Sequence, residues 1–267
     1  MAAPALEAAR TFLFVPADRP DRFGKAAAAG ADVVIIDLED AVAPESKVHA
    51  RAGVTRWLAG GGRAAVRING RTTPWHDDDV AAVSTATAVV VPKAESAEDV
   101  AACHGNGAVA IIPIIETPRG LLAAGEICRA PGVVRVAFGN VDFAAELGVD
   151  PASHAALAAA RSQLVHASAA ACCAPPIDGV TTAFGDPESL ALDARHAREL
   201  GFGAKLLIHP AQVKRTAEIF APSAKDVAWA RGVLAAPNSG VGVHNGQMID
   251  DPVRRRARRL LAAAELT

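Results

Sequence analysis

Two carboxylates stand where apolar runs end. Glu116 closes Ala110-Ile111-Ile112-Pro113-Ile114-Ile115, and Asp142 follows Phe138-Gly139-Asn140-Val141. Runs of this kind read as strands buried on both faces, where a charge is costly unless something cationic meets it. Two carboxylates completed by water or substrate oxygens make Mg2+-type coordination. Adjacent parallel strands lie about 4.8 Å apart, so the pair can share one ion. The competing reading gives each carboxylate an arginine, or makes Asp142 the cap of a helix over residues 143–147. Asp37 and Glu39, in Ile35-Ile36-Asp37-Leu38-Glu39-Asp40, favour the metal, because a nearby strand end can hold the waters around such an ion.

Arg67, after Ala64-Ala65-Val66, suits a bidentate grip on a carboxylate or enolate oxygen of a substrate, or else a fixed ion pair to Asp37 or Glu116. Lys93 has a lesser electrostatic role or solvates the rim. Arg19, Arg22 and Lys25 form a basic group able to meet the phosphates of a bulky, cofactor-like substrate, or simply a solvated helix face. His209 precedes Pro210 and can orient a loop as readily as touch a substrate. His49, His104 and His196 have no partners at ligand spacing and read as surface residues. Ser-His-Asp order, G-x-S-x-G and the P-loop are all absent, which argues against acyl-serine and nucleoside-triphosphate hydrolysis.

The elements that must position these groups alternate. β-rich runs at 11–16, 33–38, 64–68, 88–92, 109–115, 133–138, 177–180 and 205–208 are separated by Ala-rich helical stretches at 20–29, 44–59, 96–103, 120–129, 153–174 and 187–200. Strands alternating with helices imply βαβ units and a parallel sheet, and eight units close a (β/α)8 TIM barrel. An open doubly wound sheet is the rival, but no G-x-G-x-x-G follows the first strand. The polar residues fall at the C-terminal ends of the runs, which converge on one mouth in a barrel. Residues 1–221 are therefore expected to form a barrel catalytic domain. Residues 222–267, with a helix at 221–236, a Gly-rich loop and a basic last helix, are expected to form an extension on the barrel or a neighbouring subunit.

With 267 residues, 51% hydrophobic and a net charge of -2, the chain can bury a large core and has no nucleic-acid or membrane-surface signature. The run Arg254-Arg255-Arg256-Ala257-Arg258-Arg259 reads as a solvated or subunit-facing helix. Cys103, Cys128, Cys172 and Cys173 have no zinc-like spacing and read as reduced thiols of a cytoplasmic protein. No 18-residue apolar run and no signal-peptide pattern is seen, so no membrane span is expected.

Seven collinear stretches, FLFVPADRPDRFGKAAAAGADVVIIDLEDAV, VRING, VVVPKAES, IIETPRG, FGNVDFAAELG, LLIHPAQV and GQMIDDPVRRRARRL, resemble the citrate lyase β-subunit-like (CitE-like) proteins of the HpcH/HpaI aldolase superfamily over residues 12–261. The resemblance implies a homotrimeric barrel with Mg2+ (or Mn2+) at its mouth and no organic cofactor. It implies a C–C lyase acting on a 3-hydroxy-acyl-CoA thioester, with citramalyl-CoA, giving acetyl-CoA and pyruvate, the best single expectation. By motif, Glu116 and Asp142 are the implied metal ligands and Arg67 holds the hydroxy or oxo acid. The N–H groups of Gly139, Asn140 and Val141 take its carboxylate, and Arg19 and Lys25 touch CoA. Asp250, rather than the adjacent Asp251, is the implied acid/base, supplied by a neighbouring subunit. Alternatives are malyl-CoA lyase, thioesterase or malate-synthase-like chemistry at the same site, an aldolase of free hydroxy-keto acids, and a catalytically silent oligomeric partner. The absence of tyrosine excludes tyrosine chemistry.

Overall fold

The computed structural model describes residues 3–103, 110–236, 242–244 and 247–265; His104 and Val109 lie outside them. The chain divides into two compact units, Met1–Ala217 and Glu218–Thr267.

The first unit is a closed barrel of eight parallel strands in sequence order. They are β1 (Thr11–Pro16), β2 (Val33–Asp37), β3 (Ala65–Arg67), β4 (Ala88–Val91), β5 (Ala110–Ile115), β6 (Ala137–Phe138), β7 (Ile177–Asp178) and β8 (Ala204–Leu207), with β8 pairing back onto β1. This is the (β/α)8 architecture expected from the alternating pattern. The sixth run is mostly not strand. Val133 makes an isolated bridge to Ile111, and regular pairing begins only at Ala137, after Arg135 has turned to other partners.

Registers such as Ile35↔Ala65 and Ala65↔Ala88 put alternate residues on one face of the wall. Phe12, Ile35, Ala65, Ile112, Ile114 and Leu206 form the barrel interior. Carried one step further, the same period turns Asp37, Arg67, Glu116 and Gly139 toward the barrel axis at its C-terminal end. The opposite parity faces the helices. Asp178 of β7 and Lys205 of β8, both fully buried, meet Arg161 of the helix His154–Ala170. Asp178 accepts from Arg161 Nε at 2.8 Å and from Lys205 Nζ at 2.9 Å. These opposite charges, with the acceptor Gly179 O on Lys205 Nζ at 2.7 Å, offset the cost of burying ions between wall and helix.

Arg135 closes the other end. It is fully buried, over the ring of Phe12, and donates to the carbonyls of Leu6, Ala9 and Pro175 at 3.1, 2.8 and 2.5 Å. The N-terminal helix Ala3–Ala8 leaves its last carbonyls without intrahelical donors, and this guanidinium supplies them.

Helix starts follow local chemistry. Asp186 before Pro187 caps the helix Pro187–Leu200 through Glu188 N at 3.0 Å, and Ser153 caps His154–Ala170. The expected helix at 20–29 is a 3-10 turn, Pro20–Arg22, then the short helix Phe23–Ala27. The one at 120–129 is two short helices, Pro118–Leu122 and Ala124–Arg129. The helices His76–Ala82 and Gln212–Phe220 were not anticipated.

In the second unit the helices Ala224–Ala235 and Asp251–Glu265 pack through Ala230, Val233, Ile249 and Ala257. Within the expected Gly-rich loop lies an antiparallel pair, β9 (Gly242–His244) and β10 (Gln247–Ile249). Arg254 is buried and donates to Val233 O and Ala236 O, and Arg256 lies over the Trp229 ring, so part of the basic run is packed rather than solvated. No helix among the described residues is long and apolar enough to cross a membrane.

Candidate active site

Asp37 ends β2 and Arg67 ends β3, and the two are register partners on neighbouring strands. Arg67 Nε and Nη2 each donate to Asp37 at 2.7 Å, a bidentate pair, while Nη1 lies 3.0 Å from Glu39 Oε2 and 3.3 Å from Asp40 Oδ2. Burial opposes charge on Arg67, but the hydrogen bonds and charge of Asp37, reinforced by Glu39 and Asp40, outweigh it and hold the guanidinium protonated. Asp37 also accepts the N–H groups of Glu39 and Ala41. The arginine partner foreseen for Asp37 therefore exists.

Glu116 has no such partner. It is 2% exposed and accepts one hydrogen bond, from Lys93 N to Oε1 at 2.6 Å; no bond reaches Oε2 among the described residues. Burial, with the charge of Glu39 added, pushes its carboxyl up to about 8. Lys93 presents its N–H from a backbone with φ of +48°, a left-handed conformation that costs a residue with a side chain about 1–2 kcal/mol. Its ammonium turns away to Glu39 Oε1 at 2.5 Å. Burial raises the Glu39 carboxyl as well, against the pull of Arg67 and Lys93.

Gly139 packs directly on Glu116. A Cβ there would stand 2.3 Å from Glu116 Cβ and 2.6 Å from Oε2, so only glycine lets β6 approach. Gly139 is also the N-cap of the helix Asn140–Leu147, with no side chain to fill the cap. The first N–H groups of that helix are thus left for a ligand, with the positive end of the helix dipole behind them. Asp142 does not end a strand and does not cap a helix over 143–147. It is the exposed third residue of this helix, in the first turn.

One cavity of about 470 Å³ gathers these groups. Its wall includes Asp37, Asp40, Arg67, Glu116, Gly139, Asn140, Val141 and Asp142, with the apolar Phe14, Ile114, Val180, Leu206 and Ile208. Glu116 and Asp142 thus open on the same space. No cluster of three or more His, Cys, Asp or Glu suited to a metal occurs among the described residues.

The sequence and the fold match known proteins along nearly the whole chain. The family model described as HpcH/HpaI aldolase/citrate lyase matches residues 10–210. The chain belongs to the HpcH/HpaI aldolase/citrate lyase family. That membership makes it an enzyme of the carbon–carbon lyase class. A citrate lyase subunit beta-like protein of Mycobacterium tuberculosis is 40% identical over 263 residues, covering 95% of this chain and 94% of its own length. A (3S)-malyl-CoA thioesterase of Cereibacter sphaeroides is 35% identical over 278 residues, covering 96% and 94%. Among solved structures, the Mycobacterium tuberculosis protein CitE in complex with magnesium, acetoacetate and coenzyme A superposes with a TM-score of 0.84 at 38% identity, over 97% of this chain and 99% of that one.

Other residues singled out in the sequence of this family member fall elsewhere. Arg19 is paired with Asp21 at 2.9 Å, Lys25 is exposed, and neither lines the cavity. Asp250 lies in the second unit, where its carboxylate accepts Val253 N at 3.1 Å and caps the last helix; Asp251 is exposed. His209 accepts Ala211 N at 3.2 Å and stacks on Phe184, an orienting contact. His196 is not a free surface residue: its ring stacks on His154 at 4.1 Å. Sequence reading missed Lys47, which is 5% exposed and donates to Leu38 O and Glu39 O at 2.8 Å, fixing the chain that carries Glu39. The signal was its place three residues after Pro44, one helical turn into a segment otherwise read only as a helix. Asp40 also went unassigned, although it stands in the same run as Asp37 and Glu39.

Proposed function

We propose that this chain is a Mg2+-dependent lyase that cleaves a 3-hydroxy-acyl-CoA thioester, with citramalyl-CoA giving acetyl-CoA and pyruvate. One observation carries the reading: Glu116 is buried without a cationic side chain on its carboxylate and opens on the same cavity as Asp142. The donor chemistry fits Mg2+, a hard cation that takes oxygen ligands and keeps water or substrate oxygens beside one or two carboxylates. Mn2+ accepts the same oxygen donors. Glu116 and Asp142 are the residues that would hold it. Once bound, such an ion polarises the oxygens of a hydroxy or oxo acid.

The chain's own residues do the rest. Arg67, held by Asp37, is the residue assigned to the oxo-acid oxygens, which Nη1 would meet in exchange for its contacts with Glu39 and Asp40. Glu39 and Lys93 hold each other, so that the Lys93 N–H fixes Glu116. The N–H groups at Gly139, Asn140 and Val141 take the substrate carboxylate. Cleavage passes the hydroxyl proton from the substrate oxygen to a base as the C–C bond breaks and its electron pair goes to the thioester enolate, and a donor then returns a proton to the methylene carbon of that enolate. Asp250, brought by a neighbouring subunit of a homotrimer, is the group assigned to that return. Arg19 and Lys25 are assigned to the CoA phosphates outside the cavity. Residues 1–221 are the catalytic domain in this account, and 222–267 the extension that delivers Asp250.

The relatives support the substrate class, since one acts on malyl-CoA and CitE binds magnesium, acetoacetate and coenzyme A. The thioesterase among them favours a second reading, in which water releases CoA from the hydroxyacyl thioester at the same site and the C–C bond stays intact. Incubation with Mg2+ and citramalyl-CoA, malyl-CoA or citryl-CoA, following oxo acid and free thiol separately, decides. Oxo acid without thiol is the expected result. Thiol without oxo acid supports the second reading, and neither product from any thioester contradicts both.

A further inference from the structure

The backbone ladder between β7 and β8 ends at Asp178↔Lys205, below the mouth. Two side-chain amides continue it. Asn140 Oδ1 accepts Val180 N at 2.8 Å and its Nδ2 donates to Val180 O at 3.1 Å, as a strand neighbour would. Gln212, 2% exposed in the first turn after β8, accepts Ile208 N at 3.0 Å and His209 N at 3.3 Å through Oε1. Its Nε2 donates to Thr181 O at 3.0 Å. Only one orientation of each amide satisfies all of these groups. Gly179 makes room, since a Cβ there would stand 2.0 Å from Asn140 Oδ1.

The residues so fixed are Val180 and Ile208, both in the cavity wall, with Ile208 still 40% exposed. Asp37, Arg67 and Glu116, at the ends of β2, β3 and β5, line the same cavity. A hydroxy acid with its oxygens held by those groups would have its carbon substituents within the remaining, apolar part of the wall, which includes Val180 and Ile208. We propose that Gln212 is a positioning residue which, with Asn140, adds a side-chain rung to β6, β7 and β8 and thereby holds Val180 and Ile208 as the wall that selects the substrate's carbon substituent. The inference rests on the lyase reading above. It concerns selectivity only, so that the machinery of Arg67, Glu116 and Asp142 is untouched by Gln212.

The test compares kcat/KM for citramalyl-CoA and malyl-CoA, which differ by one methyl on the hydroxyl-bearing carbon. Ile208→Ala removes the wall. Gln212→Leu removes all three bonds of the clamp, and Gln212→Glu keeps the acceptor for Ile208 N and His209 N while losing the donor to Thr181 O. A methyl in an apolar pocket is worth about 10–200-fold in selectivity, so Ile208→Ala and Gln212→Leu, which take away the wall the methyl packs on, are each expected to move the ratio by about tenfold or more away from citramalyl-CoA and toward malyl-CoA. Gln212→Glu is expected to lie between them and the wild type, with Mg2+ binding by calorimetry unchanged in all three. If Gln212→Leu fails to fold, Ile208→Ala and Gln212→Glu decide. A ratio within about twofold of wild type in the folded variants overturns the inference and leaves the lyase reading standing. Wild-type protein inert toward both thioesters overturns the lyase reading, and the inference falls with it.

Discussion

A carboxylate held at the floor of a cavity by a single backbone N–H is an unsatisfied charge, and Glu116 shows the cost in its pKa. Burial and Glu39 raise it to about 8, far above an ordinary carboxylate. The linkage has a definite sign: the metal-free folded chain retains a proton that the unfolded chain has lost, so stability is full below the unfolded value and falls as pH rises through about 8. Glu116→Gln removes that penalty. At about pH 8 the metal-free variant is expected to melt higher than metal-free wild type in calorimetry, yet to turn over no thioester. A lower melting temperature would mean the carboxylate has a cationic partner. Because a cation competes with the proton on Glu116, Mg2+ affinity is expected to rise as pH rises toward about 8 and then level off. Calorimetric titrations showing no dependence over that range would remove Glu116 from the coordination.

Elements position these residues by period and by close approach. The strand that carries Glu116 was legible in the sequence, since an unbroken apolar run ends at the carboxylate, but a run apolar on both faces does not say which parity turns inward. Also legible were β1 at 11–16 and the helix Pro187–Leu200, whose ends are marked by Asp186, Pro187 and Gly201. Less legible was anything that depends on a partner distant in sequence. The sixth run reads as a full strand, but Arg135 inside it serves carbonyls of the N-terminal helix and of Pro175. The stretch His76–Ala82, with three consecutive aspartates, has no apolar stripe to reveal it, although Asp79 is buried on Arg51 and Asn69. Asp142 looks like a strand end or a cap because the glycine that starts its helix has no side chain to announce the start. That glycine has a sharp test. Gly139→Ala drives a methyl into Glu116, and overpacking of this kind costs about 1–3 kcal/mol. The variant is expected to unfold at lower denaturant concentration and to lose most Mg2+ affinity. Wild-type affinity would show that β6 and Glu116 need not touch.

Across the whole molecule, stability and chemistry are placed at opposite ends of one barrel. Arg135→Met leaves the carbonyls of Leu6, Ala9 and Pro175 without their donor, at about 1–3 kcal/mol for each buried group left unpaired. Chemical denaturation should register that loss while kcat per folded molecule stays at the wild-type value; a matching fall in kcat would tie the two ends together. The proposed trimer makes a different demand. If Asp250 serves a neighbour, neither Glu116→Gln nor Asp250→Asn is active alone, but subunits of both, unfolded and refolded together, regain turnover in mixed oligomers. Absence of complementation would place Asp250 outside the chemistry of its neighbours. All of this depends on one ion shared by two carboxylates. Titration of the metal-free chain with Mn2+, followed by the loss of the free-ion electron paramagnetic resonance signal in the presence of pyruvate, measures it directly. One tightly held ion per chain is predicted for wild type, and none for Glu116→Gln or Asp142→Asn; unchanged stoichiometry and affinity in either variant would contradict the account.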